Sequence, residues 1–185
     1  FQIGEYIVPD GKNLYITNIY GSSSLDAPLY VNGVKIIDCC ESVTGNKMQA
    51  PIIAGQNDIV STDEIVYGMS ENQITFNGIL VNQNVEPVIH DLIISDYEVP
   101  SNKRLYITTV FEDYLGQIFV KQEGVNAIDE IILHQAYSNL STGFHQPIVV
   151  NESSIISTYS NYYNYTNPNS NETTFNGYLV DEDYF

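Results

Sequence analysis

The sequence predicts an all-β chain of two tandem antiparallel β-sandwich domains, jelly-roll-like in outline, that arose by internal duplication. The composition favours strands, with 15 Tyr, no Trp and many Ile, Val and Thr residues. Short apolar stretches alternate with Asn, Gly, Asp and Ser, and no stretch repeats apolar residues at helical spacing. Several phrases also occur twice in the same order, which indicates a repeated structural unit.

The internal repeat consists of four blocks that keep the same order in both copies. The matched pairs are YIVPDGKNLYIT (6–17) with YEVPSNKRLYIT (97–108), GVKIID (33–38) with GVNAID (124–129), PIIAGQNDIVS (51–61) with PIVVNESSIIS (147–157), and TFNGILV (75–81) with TFNGYLV (174–180). Because chance similarity rarely stays collinear over four blocks, we infer a tandem duplication. Each copy has room for about seven or eight strands, as in a small jelly roll.

The repeat places a domain boundary near the middle of the chain. Residues 1–81 form the first predicted domain, residues 82–87 (NQNVEP) form a polar linker, and residues 88–185 form the second domain. The phrase VIHDLIIS opens the second domain as a strand. Because the linker is short and ends in proline, we expect the two domains to hold a fixed relation to each other.

Several turns follow from residues that tolerate a positive φ. The pair Asn32-Gly33 predicts a type I′ hairpin turn, since both central residues of that turn have positive φ. The aligned residues Gly55 and Asn151 both tolerate positive φ, so each is predicted to lie in a turn between two strands. The phrase TFNG-x-LV ends each copy, so it predicts a closing strand, with a bulge or a close backbone approach at Gly78 and Gly177.

The net charge narrows the classes of partner. Six Lys and Arg residues against 23 Asp and Glu residues give a charge of −17. Such a surface repels phosphate backbones and anionic lipids, so we expect no nucleic-acid partner. No apolar run approaches the roughly 20 residues of a membrane helix, so we expect no membrane insertion.

The sequence carries no motif that predicts catalysis or a metal centre. His90, His134 and His145 lack metal-ligand spacing, and G-x-S-x-G, H-E-x-x-H and Gly-rich phosphate loops are absent. We therefore predict a non-enzyme with no catalytic residues. The adjacent Cys39 and Cys40 point to opposite faces of a strand, so plain thiols are favoured over a redox pair or an intermolecular bridge.

Acidic residues cluster at three places and leave two interpretations open. The clusters are Asp58, Asp63-Glu64 and Asp181-Glu182-Asp183. No calcium-loop motif is present, so solvated carboxylates are favoured and no cofactor is predicted. Structural calcium is the alternative.

The second copy contains a segment that the first lacks, TYSNYYNYTNPNSNE at residues 158–172. Its four Tyr supply flat amphipathic rings and its five Asn supply donors and acceptors, a mixture typical of contact loops. A polar loop of an Asn-rich protein is the alternative interpretation. The candidate binding residues are Tyr159, Asn161, Tyr162, Tyr163, Asn164 and Tyr165.

Taken together, these phrases resemble small β-sandwich modules of phage virion proteins. The resemblance rests on V-P-x-x-K-x-L-Y-I-T, the following hairpin, P-I-x-x-G-x-x-x-I and F-N-G-Y-L-V, and it covers most of both copies. Domain one has the usual Asp10-Gly11-Lys12, whereas domain two departs from the pattern with Asn102. Such modules occur as vertex, spike, fibre or capsid-decorating components, often in phages of Bacteroidetes hosts.

The resemblance implies a structural, non-enzymatic part of a phage particle, located at the virion surface or outside the cell. Its partners would be other virion proteins and further copies of itself, with a host-surface glycan or protein as a further partner. Two other classes stay open. One is a secreted carbohydrate-binding module or lectin, and the other is a bacterial adhesin or filament subunit that donates a strand to its neighbour.

We predict that alanine at Tyr159, Tyr162, Tyr163 and Tyr165 together abolishes binding to a partner or host surface without lowering the melting temperature. The rings would supply the contact area without supporting the core. Binding of the variant to host cells and its thermal unfolding measure the two effects. Unaltered binding would contradict a recognition role for the segment.

Overall fold

A computed structural model describes residues 5–20, 27–39, 46–62, 75–112, 116–122, 131–135, 140–160 and 173–182. These residues form fifteen strands and no helix, as the composition predicts. The strands are β1 (Tyr6–Ile7), β2 (Lys12–Tyr20), β3 (Ala27–Val31), β4 (Val34–Cys39), β5 (Asn46–Ala54), β6 (Ile59–Thr62), β7 (Thr75–Asn82), β8 (Glu86–Asp91), β9 (Tyr97–Glu98), β10 (Lys103–Glu112), β11 (Gly116–Gln122), β12 (Ile131–Gln135), β13 (Leu140–Val150), β14 (Ser154–Ser160) and β15 (Thr173–Asp181).

The strands pair into four antiparallel sheets. Strands β1 to β7 form sheets of order β1-β6-β3-β4 and β5-β2-β7, which we call the N-terminal sandwich. Strands β8 to β15 form sheets of order β13-β10-β15-β8 and β12-β11-β14-β9, the C-terminal sandwich. Both sandwiches have the strand order of a jelly roll, except that the N-terminal one has no described counterpart of β8.

Each pair of sheets encloses its own apolar core, because alternate residues of every strand face the opposite sheet. The N-terminal core contains Leu14 and Ile16 from one sheet, with Leu29 and Val60 from the other. The C-terminal core is built the same way. The predicted all-β sandwich class is therefore confirmed.

The same backbone hydrogen bonds recur at matched positions of the two sandwiches. The Val8 N–H donates to the Asp58 carbonyl at 3.0 Å, and the Val99 N–H donates to the Ser154 carbonyl at 2.9 Å. Gly11 has a φ of 65° and Asn102, at the matched position, a φ of 62°. Asn tolerates this left-handed conformation as Gly does, so the second copy forms the same turn with Asn102 in place of glycine. The duplication itself stays an inference from these correspondences.

The structure has turns at both predicted places. Asn32 and Gly33 have φ values of 53° and 78°, as the type I′ hairpin requires. The turn predicted at Gly55 and Asn151 joins two strands in each sandwich, and its positive φ falls two residues later, at Asn57 (64°) and Ser153 (57°). Gly55 is the first residue of its turn, and a type II turn places positive φ at the third.

The TFNG-x-LV phrase forms the closing strand of each sandwich, β7 and β15, as predicted. At its glycine, each closing strand lies very close to the central strand with which it pairs, β2 for β7 and β10 for β15. A methyl group at Gly78 would lie 2.9 Å from the Tyr15 carbonyl oxygen, and one at Gly177 would overlap the Tyr106 carbonyl oxygen. The ladder shifts register just beyond each glycine, on the facing strand.

The two closing strands differ at their outer edge. β15 pairs with β8 over six residues, whereas no described strand pairs with β7 on the side away from β2. Leu179 is therefore 3% exposed, while Leu80, at the matched position of β7, is 43% exposed. Two nearly identical local sequences are thus buried to different extents, because different strands lie beside them.

We predict that Gly177→Ala lowers the free energy of unfolding by about 1–3 kcal/mol, because the added methyl group overlaps a carbonyl oxygen that a paired strand holds in place. Gly78→Ala is the matched comparison and should cost less, since its methyl group would approach the Tyr15 carbonyl oxygen less closely, and its nearest contact is the flexible side-chain end of Leu14. Urea unfolding of both variants measures the difference. A smaller loss for Gly177→Ala than for Gly78→Ala would contradict the close approach.

Candidate functional site

The most specific arrangement of side chains lies where the two sandwiches meet. Strands β4 and β5 are the edge strands on one side of the N-terminal sandwich. They contact β8, β10, β13 and β15, which together form one sheet of the C-terminal sandwich. One open side of the first sandwich is thus covered by the outer face of a sheet of the second.

Asn176 on β15 joins the two sandwiches through its side-chain amide. Its Oδ1 accepts the Ile53 N–H at 2.8 Å, and its Nδ2 donates to the Ile53 carbonyl at 2.9 Å. Ile53 lies opposite Tyr15 on the edge strand β5, and both of its peptide groups are directed to the edge that faces Asn176. The amide therefore occupies the place of a neighbouring strand.

The Asn176 amide also makes hydrogen bonds with its second donor proton and its second acceptor lone pair. Nδ2 donates a second bond to the Val88 carbonyl at 3.3 Å. The Thr108 hydroxyl shares its proton between Oδ1, at 3.3 Å, and the Asn176 carbonyl oxygen, at 3.2 Å. Two donors and two acceptors are the full capacity of an asparagine side chain. Since Asn176 is fully buried, loss of any partner would leave a polar group without water, at a cost of roughly 1–3 kcal/mol.

Further contacts surround this amide. The Thr174 hydroxyl donates to the Lys35 carbonyl at 2.5 Å, and the Lys35 ammonium lies 5.5 Å from the centre of the buried Phe111 ring. Strand β8 serves both sandwiches, because Val88 belongs to the C-terminal core while Ile89 packs against the N-terminal core. The fixed relation expected from the short linker thus has a packed, hydrogen-bonded interface as its physical basis.

The sequence contained no signal for this role of Asn176. The same TFNG phrase places Asn77 at the matched position of β7, where it is exposed. Which of the two asparagines is buried depends on contacts with residues far away in the chain. An exposed or buried state cannot be read from a phrase that is identical in both copies.

The connection between the sandwiches borders an open cleft of about 380 Å³. The Lys103 ammonium lies 2.9 Å from Asp181 and 3.3 Å from Glu86, so this cation ties the end of β15 to the start of β8. The hydrogen bond to Asp181, and then the one to Glu86, raise the pKa of Lys103. On the N-terminal side, Asn13 donates to the Val85 carbonyl at 3.1 Å.

Two tyrosines stack beside the interface. The rings of Tyr106 and Tyr178 lie 5.2 Å apart and almost parallel, at 3°. Burial, and then the proximity of Tyr106 and Tyr15, raise the pKa of Tyr178. Tyr15 belongs to the other sandwich, so the electrostatic surroundings of Tyr178 include a residue from each half of the chain.

The candidate residues of the Tyr- and Asn-rich segment are mostly not described. The backbone of Tyr159 lies on β14 opposite Gln117. The other five candidates, Asn161, Tyr162, Tyr163, Asn164 and Tyr165, lie outside the described residues. Their role in binding stays a prediction.

The histidines and cysteines that the sequence singled out are only partly described. The His90 ring packs 5.1 Å from the Tyr97 ring, and its Nε2 lies 2.8 Å from the Ser95 carbonyl oxygen, so it supports the fold. The backbones of His134 and His145 lie on different strands, β12 and β13. Cys39 ends β4, and Cys40 lies outside the described residues.

The described acidic residues from the three clusters have partners within the fold. Asp58 accepts the Gly55 N–H at 2.6 Å, and Glu182 pairs with Arg104 at 3.2 Å. Within the described ranges, no three His, Cys, Asp or Glu side chains come together in a way that could hold a metal ion. Asp63, Glu64 and Asp183 lie outside those ranges, so structural calcium stays an untested alternative.

Comparison with protein-family models and with curated proteins finds no match to this chain. The part of the chain that the structure describes contains no helix long and apolar enough to cross a membrane. The geometry of the interface is therefore the basis for the functional proposal.

We predict that Asn176→Ala lowers the free energy of unfolding by about 1–3 kcal/mol, because the buried peptide groups of Ile53 lose their partner. Asn77→Ala is the matched control, at the same position of the other closing strand. It should change stability by less than about 0.5 kcal/mol, since Asn77 is exposed. Urea unfolding measures both variants, and equal losses would contradict the role assigned to Asn176.

Proposed function

We propose that this protein is a non-enzymatic structural component of a phage particle, such as a vertex, spike or decoration protein at the virion surface. The observation that carries the proposal is the interface at Asn176, which fixes two jelly-roll sandwiches to each other through a fully bonded buried amide. A repeating shell or spike needs a subunit with one fixed shape, since each contact must recur with the same geometry.

The position of the subunit follows from its charge. A net charge of −17 opposes contact with packaged nucleic acid and supports solubility of an outward-facing surface. The two sheets of each sandwich also pair most backbone groups of the described strands, which limits local opening. These properties favour an outer position over one that faces the genome.

Host attachment is the second part of the proposal. The segment at residues 158–172 begins with the last three residues of β14 and ends directly before the closing strand β15, so strands of the C-terminal sandwich hold both of its ends. Loops carried on a rigid β scaffold are a common site of recognition. The tyrosines and asparagines of this segment would then contact a glycan or protein of the host surface.

We predict that the protein copurifies with intact particles at a fixed copy number. Quantitative mass spectrometry of density-purified particles measures the ratio of this chain to the other particle proteins, and labelling with an antibody to the purified chain locates it by electron microscopy. A constant ratio and labelling of the outer surface support the proposal. Absence from particles, together with selective binding on a glycan array, would replace it with the carbohydrate-binding alternative.

A further inference from the structure

The contact between the two sandwiches joins one residue of each. Each of these two residues has a matching residue on the other sandwich that makes no such contact within the described part of the chain. Asn77 lies on β7 where Asn176 lies on β15, next to the close-approach glycine and the shift in register. Asn176 is fully buried, whereas Asn77 is exposed. The Asn77 carbonyl accepts a bond from Thr17, but its side-chain amide has no partner among the described residues.

Ile53, whose peptide groups bind Asn176, also has a counterpart. Val149 lies opposite Tyr106 on the edge strand β13, as Ile53 lies opposite Tyr15 on the edge strand β5. Residues at the same place in matching antiparallel ladders direct their peptide groups to the same side, so the Val149 N–H and carbonyl point away from β10. Val149 is 51% exposed, whereas Ile53 is 2% exposed.

We propose that copies of this protein associate head to tail, with the Asn77 amide of one copy binding the Val149 peptide groups of the next. The partner is a second copy, because this chain itself shows which surface fits an exposed amide at this place: the edge of a matching strand in the same type of sandwich. The new contact repeats the one between Asn176 and Ile53. It is heterologous, so it generates a ring or an open filament.

Two features set the strength of this association. The contact within the chain also uses Ile89 from β8, and the described residues supply no counterpart of β8 beside β7. The contact between copies is therefore smaller and weaker. Each copy also carries a charge of −17, so association should strengthen as salt screens the repulsion.

The inference does not rest on a phage origin, since it concerns only how copies of the chain bind each other. Sedimentation of the purified protein over a range of concentrations up to about 1 mM measures self-association at low and at moderate salt. We expect Asn77→Ala to weaken association about tenfold or more, because both hydrogen bonds to the Val149 peptide groups of the next copy are lost. Gln83→Ala, which removes another exposed amide, should leave association unchanged.

Val149 is tested by a matched pair of variants. Val149→Pro removes the N–H and fills the edge with a ring, which edge strands tolerate, and should weaken association to the same degree. Val149→Thr keeps the peptide groups and should retain association. Circular dichroism and urea unfolding of each variant confirm that the fold is kept.

Mixing the two weakened variants distinguishes head-to-tail contact from other modes. Asn77→Ala retains an intact Val149 edge, and Val149→Pro retains an intact Asn77 amide. We expect the mixture to form one-to-one dimers that grow no further, because each pair has a single intact contact. A symmetric contact between like surfaces predicts no such rescue.

Three outcomes would overturn the inference. One is a wild-type protein that stays monomeric over the whole concentration range. Another is equal association of wild type and Asn77→Ala. The third is a mixture of the two weakened variants that remains monomeric while both variants are folded.

Discussion

The side-chain amide of Asn176 is the constraint on which the relative position of the two sandwiches depends. It takes the place of a neighbouring strand at the edge of β5 that no described strand pairs with, and it bonds both peptide groups of Ile53. Unpaired strand edges are sites where other chains add, and proteins usually cover or charge them. Here one half of the chain covers the edge of the other, so the same contact protects that edge and fixes the geometry.

The two copies of the TFNG-x-LV phrase show how neighbouring strands determine the burial of a residue. Asn77 and Asn176, like Leu80 and Leu179, are the same residues in the same strand position, yet only the second of each pair is buried. The difference arises because β8 and the edge of β5 cover the second closing strand and not the first. Two similar sandwiches in one chain therefore leave matching surfaces free on the two halves, and such surfaces are suited to assembly from many copies.

Some local features could be predicted because residue chemistry alone decides them. Asn32-Gly33 specifies its hairpin, and Gly177 specifies close strand packing, since no other side chain fits those backbone positions as well. At Gly55 the residue type identified a turn without identifying which residue of the turn takes the positive φ. In that turn Asn57 takes the positive φ, while Gly55 precedes it and contributes its N–H to Asp58.

The sequence by itself determined the all-β class, the order of the strand phrases and the closing role of TFNG-x-LV, because composition, turn residues and repeated patterns act over a few residues. Only the tertiary structure decided which asparagine joins the sandwiches and which leucine is covered. Burial depends on which distant strand packs over a residue, and Ile53 and Asn176 meet although most of the chain separates them. No periodicity within a strand carries that information.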